Sequence, residues 1–174
     1  MGDHYEFHRA QGGGLAEPAY ALSWICGLTR QRPVSVVARA AHLSDLPSGF
    51  NDLLDMIIDL DGGSILNVHY TLHEKHDGTI GRFERFACEY GTLASNATES
   101  RFYDAASKKW IEFRVPPGWN YESVYLSEMK HFLAALEGKE IYQGSLQLER
   151  CVLATLLAAE ESSTKGQKIG LARK

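Results

Sequence analysis

A hairpin in the middle of the chain constrains the fold more than any other stretch. Large apolar side chains occupy every second position of residues 54–60, and a second alternating run covers residues 65–73. Asp61-Gly62-Gly63 separates the two runs, and an Asp-Gly pair supplies the positive φ angles that a tight primed turn requires. The pattern therefore predicts two antiparallel strands joined by such a turn.

Further strands are predicted on both sides of this hairpin. Residues 34–42 begin with β-branched residues in alternate register, and residues 82–89 are rich in aromatic and alternating side chains, with a turn and a strand after them at residues 90–95. Two short runs, 101–104 and 109–113, flank a four-residue connection. These residue types in alternation are typical of strands. The middle of the chain is therefore predicted to be a series of antiparallel strands.

Helical spacing appears at the two ends of the chain. One helix is predicted to follow the glycine run 12–14 and to end at Gly27, because glycine is common where helices stop. A second is bracketed by Asn120 as its cap and Gly138 as its stop, and a third runs from residue 146 to Lys165-Gly166. The last two helices have apolar stripes, and the sheet is the only large surface on which we expect them to lie.

The order of elements defines the fold class. A helix, many strands, two helices and a short final strand at residues 167–171 predict an α+β domain with helices on one face of a mostly antiparallel open sheet. We expect residues 12–174 to form this single domain, and residues 1–11 to be an N-terminal segment such as an interdomain connection. Because Ile57 and Ile65 place apolar side chains on the uncovered face as well, we predict a homo-oligomer that associates through it.

Composition excludes several classes of protein. The chain has 174 residues, 44% hydrophobic residues and a formal net charge of −4, and its basic residues are scattered, so no nucleic-acid-binding face is expected. The three cysteines are far apart, which argues against a disulfide framework or a zinc site and favours a reducing cytoplasm. No apolar run is long enough to span a bilayer or to act as a signal peptide. We expect no metal and no membrane partner.

The glycine run does not match a nucleotide-binding loop, because a dinucleotide fingerprint needs Gly-x-Gly-x-x-Gly after an apolar strand. In their order along the chain, however, several stretches resemble the C-terminal domain of the Gfo/Idh/MocA family of NAD(P)-dependent oxidoreductases. These stretches are Gly12-Gly13-Gly14 before the first helix, Pro33-Val34-Ser35-Val36, Asp59-Leu60-Asp61-Gly62-Gly63, Tyr90-Gly91-Thr92-Leu93, residues 128–138, residues 158–162 and Gly166-Gln167-Lys168-Ile169.

This resemblance implies the fold of the C-terminal domain of dihydrodipicolinate reductase and glucose–fructose oxidoreductase. It also implies a two-domain enzyme in which an N-terminal Rossmann domain binds NAD or NADP, and a small, sugar-like substrate. No Rossmann domain is recognisable in this sequence. We therefore expect no cofactor bound to this chain alone, and no dehydrogenase activity from it.

The resemblance also implies a site on the first helix. Many members carry Glu-x-x-His-x-x-Asp there, and the corresponding residues are Glu17, Tyr20 and Ser23. Tyr20 and Glu17 are thus the candidate catalytic residues, whereas Ser23, Arg9 and Gln11 are candidates for binding substrate. Tyrosine is a poorer base than histidine at neutral pH, since an ordinary phenol has a pKa near 10.

Two alternatives stay open. In a purely structural reading, the acidic residue at position 17 favours the helix dipole and the tyrosine at position 20 is a half-buried core residue. The chain as a whole would then be a free-standing α+β assembly or ligand-binding domain without chemistry of its own.

Overall fold

A computed structural model describes most of the chain. The described residues are 16–43, 51–71, 83–96, 99–114 and 120–172. The chain divides into two compact units, one formed by Met1–Glu74 with Gly144–Lys174 and the other by Lys75–Gln143. Each unit has its own antiparallel sheet.

The first four elements and the last two belong to the first unit, and the five between them belong to the second unit. In chain order the elements are α1 (Ala16–Thr29), β1 (Pro33–Ala41), β2 (Leu53–Leu60), β3 (Ile65–Thr71), β4 (Phe83–Cys88), β5 (Gly91–Asn96), β6 (Ser100–Asp104), β7 (Lys109–Phe113), α2 (Tyr121–Leu136), α3 (Leu146–Lys165) and β8 (Ile169–Gly170). The first unit has a sheet of order β3-β2-β1-β8, and the second unit a sheet of order β4-β5-β6-β7. The predicted α+β class with antiparallel sheets is confirmed.

The core of the first unit lies between its sheet and two helices. Every second residue of β2, starting at Leu54, is at most 3% exposed and packs in one cluster with Val152, Leu156 and Ala159 of α3. Helix α1 adds Leu22 to the same cluster. Because the strand alternates and the α3 residues recur at helical spacing, both elements present one apolar side to each other. The predicted placement of helices on one face is confirmed for this sheet.

Two serines of α3 complete the edge of β1. Strand β8 pairs with only two residues of β1, so the N–H groups farther along β1 need other acceptors. Ala38 N–H donates to Ser162 Oγ at 2.9 Å, and Ala40 N–H donates to Ser163 Oγ at 2.8 Å. Ser162 Oγ in turn donates to the Gln167 carbonyl at 2.7 Å. The end of α3 is thereby attached to the sheet edge.

The central hairpin is confirmed, but its predicted primed turn is wrong. Four residues connect the strands, and the Leu60 N–H donates to the Ser64 carbonyl at 2.9 Å. Of the two turn glycines, only Gly63 has a positive φ, at 86°. The longer turn has a tertiary cause: the Asp61 N–H donates to the Arg32 carbonyl at 2.9 Å, which ties the turn to the connection between α1 and β1.

The predicted end of α1 at Gly27 is also wrong. The helix continues to Thr29, and the chain leaves it at Arg30, whose φ is 56°. A single glycine inside a helix costs about 1 kcal/mol relative to alanine, which burial of neighbouring side chains can offset. Here Ile25 and Cys26, directly before the glycine, are buried.

The second unit contains the predicted short strands and their connections. The β6–β7 hairpin has Lys108 at a φ of 57°, and the Asp104 carboxylate accepts the N–H groups of Ala106 and Ser107, both at 3.1 Å. These hydrogen bonds lower the pKa of Asp104 below its usual value, the side-chain bond from Ser107 most of all. The Asp104 side chain therefore fixes the turn between β6 and β7, as aspartate commonly does in such turns.

Helix α2 has the predicted termini but not the predicted packing. Asn120 caps it, accepting the Ser123 N–H at 2.8 Å, while Ser123 Oγ lies 3.4 Å from the Asn120 N–H in a reciprocal capping box. Gly138 follows its end with a φ of 72°. Within the second unit, however, α2 does not pack closely on any of the described strands, so the expectation that it lies on a sheet is not met by β4–β7.

Candidate functional site

Helix α1 buries one side and exposes a stripe of large side chains on the other. Leu22 and Cys26 are at most 2% exposed. On the outer side Tyr20, Trp24 and Leu28 are 71%, 41% and 59% exposed, and their spacing of four residues puts them along one line of the helix. We call these three residues the α1 stripe. It presents a phenol, an indole and an aliphatic side chain side by side.

Ser23 lies beside the stripe and is fixed by a residue from the other end of the chain. Its Oγ donates a hydrogen bond to Glu149 Oε1 at 2.6 Å, from α1 to the first turn of α3. A hydroxyl has one proton, so Ser23 can then only accept a hydrogen bond from a ligand. The carboxylate is also well placed at a helix N-terminus, where negative charge is favoured.

The structure brings together two of the five predicted site residues. Tyr20 and Ser23 are three residues apart on α1 and so lie on neighbouring positions of its surface. The backbone of Glu17 is in the first turn of the same helix, but its side chain lies outside the described residues, as do Arg9 and Gln11. The alternative that Tyr20 is a half-buried core residue is wrong, because 71% of its side chain is exposed.

Two cysteines lie beneath the stripe, between α1 and α3. Burial raises the pKa of Cys26 to about 11, with smaller contributions in the same direction from Cys151, Asp61 and Glu149. Burial likewise raises the pKa of Cys151, while Arg32 opposes that shift. Since a thiolate is the reactive form of cysteine, these surroundings disfavour the reactive form of both residues.

The open face of the first sheet carries two networks centred on aspartates. Asp55 Oδ1 accepts a hydrogen bond from His69 Nδ1–H across the β2–β3 pair, at 2.5 Å. Asp59 accepts the Ser35 hydroxyl at 2.5 Å and pairs with Lys168, whose hydrogen bond is the main cause that lowers the pKa of Asp59 below its usual value. Each carboxylate thus has a donor from a neighbouring strand or from the residue before β8.

An apolar row separates these two networks. Val37 and Ile57 face each other across β1 and β2 between the two networks and are 42% and 52% exposed. Ile65 of β3, 62% exposed, pairs with Asp59 and so lies diagonally beside Ile57. Charged groups on either side of an exposed apolar row are typical of a surface that meets another protein.

Metal sites and membrane-spanning helices are absent from the described residues. In the five described ranges, no group of three or more histidine, cysteine, aspartate or glutamate side chains could hold a metal ion. No helix in those ranges is both long and apolar enough to cross a membrane.

The fold of this chain is shared with proteins of known structure. The chain has an α+β fold shared with oxidoreductases of the Gfo/Idh/MocA type, so the fold implied by the sequence resemblance is confirmed. Neither a protein-family model nor a curated protein matches the chain.

Three solved structures illustrate the likeness. An oxidoreductase domain protein from Kribbella flavida matches with a TM-score of 0.78 and 19% identity, over 93% of this chain and 51% of that one. UDP-N-acetylglucosamine 3-dehydrogenase from Acidithiobacillus ferrooxidans has a TM-score of 0.67 and 16% identity, over 83% and 45%. An oxidoreductase from Agrobacterium radiobacter, in complex with NAD+, L-tartaric acid and magnesium, has a TM-score of 0.69 and 14% identity, over 80% and 43%. The chain thus spans about half the length of these relatives.

Sequence reasoning missed the partner of Ser23 and the aspartate networks. Glu149 is 126 residues from Ser23, and no local pattern pairs them. The alternation in β1 and β2 does place Ser35 and Asp59 on one face, but their pairing depends on the strand register.

Proposed function

We propose that this chain is the substrate-binding and oligomerisation domain of a Gfo/Idh/MocA-type NAD(P)-dependent oxidoreductase that acts on a sugar-like hydroxyl or carbonyl compound. The observation that carries the proposal is the shared fold, which covers 93% of this chain in the comparison with the Kribbella flavida protein. The NAD+ in the Agrobacterium radiobacter structure supports a nicotinamide cofactor, and the Acidithiobacillus ferrooxidans enzyme supports a substrate that contains a sugar.

In the complete enzyme, NAD or NADP supplies the hydride chemistry. The residues described here do not fit the cofactor itself: every strand pair is antiparallel, so the described chain has no βαβ unit whose helix could receive a pyrophosphate. We therefore assign the dinucleotide to another domain of the complete enzyme. This chain contributes the residues that bind and protonate the substrate.

The α1 stripe carries the proposed proton donor. Tyr20 holds its phenol in solvent, where it can donate a proton to a developing alkoxide. In the reverse direction we propose that the phenol takes the proton of the substrate hydroxyl as its own proton passes to the Glu17 carboxylate. Because the Ser23 hydroxyl donates its proton to Glu149, its oxygen is proposed to accept a hydrogen bond from a second substrate hydroxyl. Arg9 and Gln11 are proposed to orient the substrate from the segment before α1.

A turnover assay of the longest natural reading frame tests the proposal. NAD+ and NADP+ reduction would be followed with inositols, aldoses and sugar nucleotides, beside the 174-residue chain alone. We expect turnover only from the longer protein, and a loss of about 100-fold or more in Tyr20→Phe, as for loss of a general acid–base group. Tyr90→Phe is the matched control, since Tyr90 is 73% exposed in the second unit. Full activity in both Tyr20→Phe and Glu17→Gln would refute the assignment, as would turnover by the chain alone.

The oligomerisation part of the proposal rests on the open sheet face. Ile57→Lys places a charge in this apolar row and is expected to lower the mass measured by light scattering. Leu157→Lys on α3 is the control, because Leu157 is similarly exposed, and it should leave the mass unchanged. An unchanged mass in Ile57→Lys would count against this face.

A second candidate function, an assembly domain without chemistry, is favoured by that same exposed row. It predicts that Ile57→Lys abolishes function in the complete protein while Tyr20→Phe leaves it intact.

A further inference from the structure

The contact between Ser23 and Glu149 decides which chemical groups of a ligand can face the serine. Ser23 Oγ donates its proton to Glu149 Oε1 at 2.6 Å. The serine oxygen can then only accept, so a group that hydrogen-bonds to it must carry a proton to donate. A hydroxyl meets that requirement, whereas an ionised carboxylate has acceptor oxygens only.

Contacts at the start of α3 place the Glu149 carboxylate beside Ser23. Ser145 caps the helix, because its Oγ accepts the Leu148 N–H at 3.2 Å and its carbonyl accepts the Glu149 N–H at 3.1 Å. Leu148 approaches α1 at Gly27, where an added methyl group would lie 4.0 Å from Leu148 Cδ2. The first turn of α3 is thereby held close to α1, so the carboxylate is already in place before a ligand arrives.

The negative charge of Glu149 also acts on the space in front of Ser23. From ordinary hydrogen-bond lengths and angles, a ligand oxygen bonded to Ser23 Oγ would lie about 4–5 Å from Glu149 Oε1. Two negative charges at that separation in an exposed site repel each other enough to weaken binding by about tenfold. Glu149 is also one of the groups that raise the pKa of Cys26, so its field is felt across the contact between α1 and α3.

We propose that Glu149 is a positioning residue that makes Ser23 select an uncharged hydroxyl of the substrate and reject a carboxylate. This inference rests on the proposed function, because it takes the surface of α1 at Tyr20 and Ser23 as the substrate site. It narrows the sugar-like substrate to one that presents a neutral hydroxyl to Ser23. Glu149 acts without touching the ligand, through the serine proton and through its charge.

Two sugars that differ in one group test this selectivity. The full 174-residue chain is titrated, without cofactor, with methyl glucoside and with methyl glucuronide, which has a carboxylate in place of the hydroxymethyl group. NMR shift changes of the α1 amides report binding. We expect methyl glucoside to bind about tenfold more tightly or better, because only the glucuronide brings a second negative charge toward Glu149.

Substitution of Glu149 should remove this preference. In Glu149→Gln the charge is gone, and Ser23 can accept from the new amide and donate to the ligand, so the ratio of the two dissociation constants should fall to about twofold or less. Glu160→Gln is the matched control, since Glu160 is an exposed glutamate farther along α3, and it should keep the ratio. A merely structural role for Glu149 would weaken both sugars equally and leave the ratio unchanged.

A salt series gives a second measurement, which needs no substitution and decides the question even if Glu149→Gln does not fold. Raising the salt concentration from about 0.01 M to about 1 M shortens the screening length from about 30 Å to about 3 Å. The preference of the unaltered chain for methyl glucoside should therefore fall severalfold.

Three results would overturn the proposal: equal affinities for the two sugars, an unchanged ratio in a folded Glu149→Gln, or binding of neither sugar at α1. Turnover is measured separately, with NAD+ or NADP+ and the complete enzyme. Turnover without the preference would contradict this inference alone, whereas the preference without turnover would contradict the proposed oxidoreductase activity alone.

Discussion

Ser162→Ala removes one oxygen atom that serves two backbone groups. Ser162 is fully buried, and its Oγ accepts the Ala38 N–H at 2.9 Å and donates to the Gln167 carbonyl at 2.7 Å. Leaving a buried donor without a partner costs about 1–3 kcal/mol. Gln167 is exposed, so its carbonyl can return to water, and alanine improves the helix propensity by about 0.5 kcal/mol. We expect a net loss of about 1–2 kcal/mol in the free energy of unfolding.

Two measurements check this value. At about 2–4 °C per kcal/mol for a chain of this size, the melting temperature should fall by roughly 2–8 °C. Amide exchange should also quicken at Ala38 while the β2–β3 pairing stays protected. The control is Ser127→Ala, whose exposed hydroxyl donates to the Ser123 carbonyl at 2.9 Å and whose loss should change stability by less than about 0.5 kcal/mol. If Ser162→Ala is as stable as the control and Ala38 stays protected, Ser162 does not hold the sheet edge.

Three further predictions follow from single contacts. Cys88 is exposed, whereas burial raises the pKa of Cys26 to about 11. A thiol reagent at neutral pH should therefore modify Cys88 rapidly and Cys26 only on unfolding. Comparable rates for the two cysteines would contradict the burial of Cys26. Lys168→Met should raise the pKa of Asp59, which can be measured by NMR titration of its carboxyl group. Because the folded pKa is lowered, that pair stabilises the fold above about pH 4 and its contribution is lost as the pH falls below that, so the variant should lose this acid dependence. Asn120→Ala should cost about 1 kcal/mol and fray the start of α2, and unchanged amide exchange there would argue against the cap.

Much of the fold could be predicted from the sequence because its signals are local. Alternation over residues 54–60 specifies a strand with one buried face, and the Asn120 cap depends only on a residue three positions away. Gly166 likewise ends α3 by adopting a φ of 65°. In each case the deciding interaction lies within one turn of a helix or one strand.

The errors arise where distant residues decide the local structure. Gly27 is a stop signal by itself, but burial of its neighbours keeps it inside α1. The turn at residues 61–64 is longer than its Asp-Gly pair predicts, because the Asp61 backbone is hydrogen-bonded to Arg32. The apolar stripe of α2 correctly indicates a helix, but periodicity alone cannot say which surface covers it.

The candidate site shows the same division between local and distant control. Tyr20 and Ser23 share a helix surface by spacing alone, which a sequence can reveal. What fixes Ser23 is Glu149, and Glu149 is fixed in turn because α3 is attached to the edge of β1 through Ser162. Helix α3 thus connects the edge of β1, through Ser162, to the residue beside the α1 stripe, Ser23, through Glu149. If the α1 stripe binds substrate, its geometry is set by a helix that contributes no residue to the predicted substrate-binding set, and changes in α3 should alter binding without altering that set.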